Sequence, residues 1–183
     1  MTQASLSYDP TRRGSFTVKD VEYRRDGDRS WLAMVYQPEG DGLFPALLDI
    51  HGGAWNNGVR TDNPAIAEEL AASGVVVVSI DFRMGGTDPY PSSLADINYA
   101  TRWLKLHAAD FHADPATVGG LGVSSGGHLI MLSGMRPADL RYAALPLADY
   151  LYLLNLGQVK AEGPGRNFDR ARVRQLVQEC LLG

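Results

Sequence analysis

From Phe44 to Met135 the chain alternates short apolar runs with amphipathic stretches, and no other feature restricts its fold as strongly. Phe44–Ile50 (FPALLDI), residues 75–80 (VVVVSI) and residues 118–123 read as strands. The run at 75–80 is apolar at both parities, the pattern of a parallel strand covered on both faces. Between these runs, residues 63–72 space Ile66 and Leu70 as a helix does, with Pro64 in its first turn and Ser73-Gly74 at its end. Residues 92–109 bring Leu94, Ile97, Ala100, Trp103, Leu104 and His107 to one helical face, and residues 126–135 read as a third helix. Strand and helix in alternation imply right-handed βαβ crossovers and a mostly parallel sheet, an α/β chain of three αβα layers.

The flanks are read from turns and breakers. Residues 15–24 and 31–36 surround Arg25-Asp26-Gly27-Asp28, whose Asp-Gly predicts an antiparallel N-terminal hairpin. Residues 1–14 are polar and aperiodic, which predicts a flexible arm. Asp114-Pro115 resembles a cap followed by proline at the first helical position, hence a short helical turn before the strand at 118–123. After Pro146 the pattern weakens: residues 150–156 fit strand or helix, Gly163-Pro164-Gly165 breaks the chain, and residues 168–182 fit an amphipathic helix. The expected organisation is an arm at 1–14, a core at 15–148 and a divergent segment at 149–183 that ends in a helix.

Bulk properties narrow the partners. A chain of 183 residues with 45% apolar and 21% charged residues is long enough for one buried core. A net charge of −4 gives no purchase to nucleic acid or to an anionic membrane. The first residues carry no apolar h-region, and the purely apolar run at 75–78 is far too short to span a bilayer. A single cysteine, Cys180, leaves no intrachain disulfide and fits a reducing, cytoplasmic setting; its helical context predicts a packed side chain. His107 and His112 find no third ligand in their spacing, so neither metal nor cofactor is expected.

Two segments carry chemistry. Gly122-Val123-Ser124-Ser125-Gly126 matches G-x-S-x-G. The match is weak alone, but it follows a strand and opens a helix, as a nucleophile elbow requires. Its glycines allow a sharp turn that lifts the Ser124 hydroxyl off the sheet edge. His51-Gly52-Gly53-Ala54-Trp55 lies at the carboxyl end of another strand, where open α/β sheets place ligands. The amides of Gly52 and Gly53, with that of Ser125, are candidate donors to an oxyanion.

On HGGAW at 51–55, DFRM at 81–84, YPSSLADINYATRWLK at 90–105 and DPATVGGLGVSSGGH at 114–128, the chain resembles the esterase/lipase branch of the α/β-hydrolase fold. Its hormone-sensitive-lipase-like and kynurenine-formamidase-like groups are the nearest in pattern. The resemblance covers roughly residues 30–145 and implies hydrolysis of a small-molecule ester or amide by an acyl-enzyme on Ser124. It makes Gly52, Gly53 and Ser125 the oxyanion hole, has His51 brace that loop, and sets Trp55 and Asn56 near the pocket mouth. It gives Asp81 and Asp96 structural roles.

In such proteins the acid and the histidine follow the serine. Here the four histidines end at His128, which the resemblance makes a packing residue turned away from the elbow. The expectation is therefore a C-terminally incomplete α/β-hydrolase fold, weak in turnover by itself and prone to form homo-oligomers through an exposed sheet edge. The alternative is a non-catalytic binding protein or degenerate hydrolase fragment. Nucleotide binding fits poorly, because Gly120-x-Gly122 is followed by Gly126, one residue late for G-x-G-x-x-G.

Overall fold

A glycine in the left-handed region, Gly27 at φ +58°, turns the chain between β1 (Phe16–Asp26) and β2 (Arg29–Pro38), which pair antiparallel with Asp26 opposite Arg29. The computed structural model describes residues 7–143 and, beyond them, the backbone at 151–155 and 158–163. The chain divides into two compact units, Met1–Ala143 and Ala144–Gly183.

In the first unit the hairpin leads into β3 (Phe44–Ile50), α1 (Pro64–Ala72), β4 (Val76–Ile80), α2 (Ser92–Leu106), a 3-10 turn (Ala108–Phe111), β5 (Ala113–Gly122) and α3 (Ser125–Met135). The sheet runs in the order β1-β2-β4-β3-β5. It is mixed: β1–β2 and β2–β4 are antiparallel, whereas β3 is parallel to both β4 and β5. The parallel part sits where the strand–helix alternation was read, and the antiparallel part where the hairpin was.

Alternation along the strands decides what each helix covers. Met34, Tyr36, Leu47 and Val77 point to α1, where they meet Ala67, Leu70 and Ala71. The opposite parity, including Ala33, Val35, Leu48 and Val78, is fully buried too. On that side α2 packs against β3, β5 and α3, and its Tyr99 and Trp103 lie against Tyr23 of β1. All five residues of β4 are buried, as a strand covered on both faces must be.

This topology creates one crevice. From β3 the chain crosses through α1 to β4 on one side, then returns through α2 to β5 on the other. Strand order thus reverses at β3, and the carboxyl ends of β3 and β5 part where their following loops diverge. Ile50 and Gly122 are partners at that end, so both chemical segments leave the sheet side by side.

Two expectations need revision. Asp114-Pro115 opens no helical turn: β5 begins at Ala113, and the residues between its pairings of Ala113 and Val118 bulge out, Asp114 accepting from the Ala116 amide at 2.9 Å. The helix read over 92–109 stops at Leu106 and tightens into the 3-10 turn, with His112 left-handed at φ +54°. Of the arm expected at 1–14, residues 1–6 lie outside the described residues; further on, the amides of Ser7, Asp9 and Gly14 donate to the carbonyls of Leu43, Ser73 and Ala72. Among the described residues, no helix is long and apolar enough to cross a membrane.

The second unit contains an antiparallel pair, β6 (Leu151–Asn155) and β7 (Gln158–Gly163), in which Asn155 faces Gln158. Within the ambiguous stretch at 150–156, residues 151–155 are strand, and β7 ends where the glycine-proline break begins. The helix expected at 168–182 and Cys180 lie outside the described residues.

Candidate active site

The elbow is built by a reversal within two residues. Val123, one residue past β5, still donates its amide to Ile50 O at 3.1 Å, whereas α3 begins at Ser125. Ser124 between them has φ +52° and ψ −120°, a conformation costing a non-glycine residue about 1–3 kcal/mol. The Gly126 and Gly127 amides donate back to Val123 O (2.8 Å) and Ser124 O (3.0 Å), closing the bend. Bare backbone on each side makes it possible. A Cβ on Gly122 would lie 2.5 Å from the Gly126 carbonyl, and one on Gly126 would lie 2.5 Å from the His51 carbonyl oxygen. Ser124 itself is exposed at the tip.

The second segment folds against it. Gly53 (φ +105°), Ala54 (φ +51°) and Trp55 (φ +63°) are left-handed in succession, and Gly53 O accepts from the Asn56 and Asn57 amides at 3.0 and 3.1 Å. A Cβ on Gly52 would stand 3.3 Å from Ser124 Cβ, so the corner rests on the elbow. Among the described residues, the amides of Gly52, Gly53 and Ser125 donate to no protein acceptor. Gly52 thus lies against Ser124, and Ser125 follows it at the positive, N-terminal end of α3.

His51 fixes the aim of one of them. Its ring is buried (2% exposed) and stacks on Phe82 with centroids 4.5 Å apart. A carbonyl can only accept, so Nδ1–H donates to Gly52 O at 2.8 Å. The peptide linking Gly52 to Gly53 is planar and trans, and pinning its C=O turns the Gly53 N–H the opposite way. Nε2 is buried without a partner; with the proton on Nδ1 it is a lone pair, a cheaper orphan than an N–H.

Trp55 and Asn56 are exposed. The Trp55 amide donates to Ser125 Oγ (3.3 Å), its carbonyl accepts from Gly85 N–H (2.7 Å), and its indole Nε1–H donates to His128 Nδ1 (3.3 Å) with the two rings edge to face. His128, expected to be a packing residue, is instead exposed and meets the indole of Trp55, and it makes no hydrogen bond to Ser124. The hydroxyl of Ser125 and the His128 contact escaped the sequence reading, because the variable position in G-x-S-x-G and the residue after GG carry no constraint in the motif.

The carboxylates nearby are occupied elsewhere. Asp81 receives the Arg60 amide and Nη1, both at 2.8 Å, while the rest of that guanidinium grips Asp20. Asp96 is fully buried and takes the Arg83 amide (2.8 Å), the Arg83 guanidinium (2.7 Å) and Arg24 (3.0 Å). Both thus hold loops: Asp81 the segment after the corner, Asp96 the segment after β4. Asp49 is buried in β3, and desolvation pushes its carboxyl above the usual range; hydrogen bonds from Ser79 and Asn63 and the nearby His51 pull it partly back. His107 pairs with Asp110, and His112 Nδ1 donates to Gly40 O. Among the described residues no histidine or carboxylate hydrogen-bonds Ser124.

Comparison with known proteins gives a consistent set. The family model BD-FAE matches residues 15–145. Esterase LipC of Mycobacterium tuberculosis is 35% identical over 101 residues, 55% of this chain and 25% of LipC. Carboxylesterase NlhH of the same species is 33% identical over 98 residues, 53% of this chain and 31% of NlhH. Among solved structures, the thermophilic esterase Est2 of Thermogutta terrifontis superposes with a TM-score of 0.59 at 26% identity, covering 63% of this chain and 43% of Est2. The alignments therefore span only a quarter to a third of these curated relatives.

Proposed function

The chain belongs to the BD-FAE family, within the esterases of α/β-hydrolase fold, and from that premise we propose that it carries the nucleophile half of a serine hydrolase acting on small esters or amides. The observation that carries the reading is Ser124, held at φ +52° between unpaired amides of Gly52, Gly53 and Ser125. Its Oγ attacks the carbonyl carbon, and the carbonyl oxygen, now negative, takes hydrogen bonds from those amides at the N-terminus of α3. Collapse expels the alcohol or amine and leaves an acyl group on Ser124, which water removes. His51 acts through the aim of Gly53 and does not touch substrate.

The proton must go to a base, and the reading places base and acid outside residues 7–143. His51 is buried with Nδ1 committed to Gly52, and His128 Nδ1 accepts from Trp55. Without a histidine base, a serine hydrolase loses about 10⁶ in turnover and retains about 10³–10⁴ over water from its oxyanion hole and binding. The test is release of p-nitrophenol from p-nitrophenyl acetate by the chain and by Ser124→Ala. Release that depends on Ser124 supports the reading; equal rates overturn it. The same lack of a bonded base favours a second reading, a binding fragment that holds acyl compounds without cleaving them. Saturable binding with no Ser124-dependent release selects it. Among the described residues β5 is an edge strand of the sheet, which supports self-association there; a monomeric elution volume contradicts it.

A further inference from the structure

Ser125 presents two groups to two tasks. Its amide is one of the three free donors beside Ser124, and its hydroxyl accepts the Trp55 N–H across a sequence separation of 70. We propose that this hydroxyl is a positioning group: it fastens the Gly52–Gly53 corner to the first turn of α3 and so sets the spacing between the two sides of the oxyanion cradle. The inference rests on the hydrolase reading and adds to it a role that G-x-S-x-G does not require, since any small residue satisfies the position after the serine.

The corner needs an outside hold. Three consecutive residues with positive φ, two of them bearing Cβ atoms, do not persist unless neighbours over-determine them. Its anchors have different destinations. The His51 bond to Gly52 O is internal to the corner, and the Gly85 bond to Trp55 O ties it to the loop after β4. Among the described residues, Ser125 Oγ and His128 Nδ1 are the groups that hydrogen-bond it to α3, which opens at Ser124. Of these, Ser125 is 5% exposed, whereas the indole that reaches His128 belongs to a residue 48% exposed. The sheltered bond holds better, because water competes with the other one. The Ser125 hydroxyl and N–H belong to one buried residue in the first turn of α3, so a bond that fixes the hydroxyl also restrains the N–H beside it. Losing the hydroxyl lets the Gly53 donor drift relative to the Ser125 donor, and displacements near an ångström cost a pre-organised site up to about 10² in rate.

The test uses the full chain and two readouts. Diethyl p-nitrophenyl phosphate reacts by forming a bond from Ser124 Oγ to phosphorus as p-nitrophenolate leaves and the hydroxyl proton passes to solvent; the phosphoryl oxygen occupies the cradle. Ser125→Ala should lower the limiting rate of this reaction by about 10- to 100-fold with half-saturation nearly unchanged. In the same variant, exchange of the Trp55 amide proton, followed by NMR, should accelerate at least about 10-fold. Ser125→Thr, which keeps a hydroxyl, should restore both. A Trp55 exchange rate unchanged in Ser125→Ala overturns the tie itself. Faster exchange with an undiminished limiting rate overturns the positioning role. No phosphorylation of Ser124 in the parent chain overturns the hydrolase reading, and the positioning role with it, while the exchange readout still reports on the bond.

Discussion

Replacing Gly126 by alanine tests how closely the elbow must sit on the sheet. The new Cβ would lie 2.5 Å from the His51 carbonyl oxygen and nearer still to that of Ile50, against an ordinary contact of 3.4 Å or more. Both obstacles are backbone at the end of β3, so no side chain can swing aside. The first turn of α3 must retreat by about an ångström or β3 must bend. Overpacking of this kind costs about 1–3 kcal/mol, and the gain from alanine over glycine in a helix, at most about 1 kcal/mol, offsets part of it. We expect a net loss near 2 kcal/mol, a fall in melting temperature of about 4–8 °C for a chain of this size. The retreat also carries the Ser125 amide away from Gly53, and phosphorylation of Ser124 should slow about 100-fold. Two neighbours grade the effect. A Cβ on Gly127 would stand 3.2 Å from Gly122 O, a small strain, while one on Gly134 meets nothing within 4 Å. Gly127→Ala should be close to neutral, and Gly134→Ala should gain about 0.5–1 kcal/mol. Circular dichroism melts of the three variants give the order. Equal stability and labelling for Gly126→Ala and the parent would refute the close seating of the elbow on β3.

Three further outcomes follow from the same geometry. Ser124→Gly removes the Cβ from a backbone at φ +52° and should raise stability by about 1 kcal/mol as it abolishes labelling; denaturant midpoints no higher than the parent's contradict the strain. Asp96→Asn leaves Arg24 and Arg83 facing a neutral amide in a buried site and should destabilise by about 3–5 kcal/mol, which a loss under 1 kcal/mol in urea unfolding would disprove. Asp49 is held above its unfolded pKa by burial, so the folded state binds the extra proton and stability falls as pH rises from the ordinary carboxylate range through the folded value. Asp49→Asn should therefore gain on the parent as pH rises above the ordinary carboxylate range, and a pH-independent difference between their denaturant midpoints would count against this.

Sequence and structure agree most closely where periodicity and packing ask for the same thing. The strand at Phe44–Ile50 stands as read, and all five residues of β4, four of them apolar, are buried because both sheet faces are covered. The elbow and the His51-Gly52-Gly53 corner were visible because glycines mark the places where a Cβ would strike backbone. The mixed character of the sheet was half visible: Asp-Gly signals the hairpin, but nothing local says that β2 goes on to pair with β4. Asp114-Pro115 misled because the same dipeptide serves a helix start and a bulge, and pairing with β3 decides between them. Arg24, Arg60 and Arg83 left no pattern, since an ion pair between distant segments has no spacing to read. The Ser125 hydroxyl was hidden for the same reason, its partner lying 70 positions away.

The account turns on whether the hydroxyl at residue 124 is reactive in the place where the chain holds it. A fluorophosphonate incubated with the intact chain, followed by peptide mapping in a mass spectrometer, answers this directly. The prediction is a single covalent adduct on the peptide bearing Ser124, lost in Ser124→Ala and much slower to form in Gly126→Ala. An unlabelled chain, or an adduct on Ser125 or another hydroxyl instead, would contradict it.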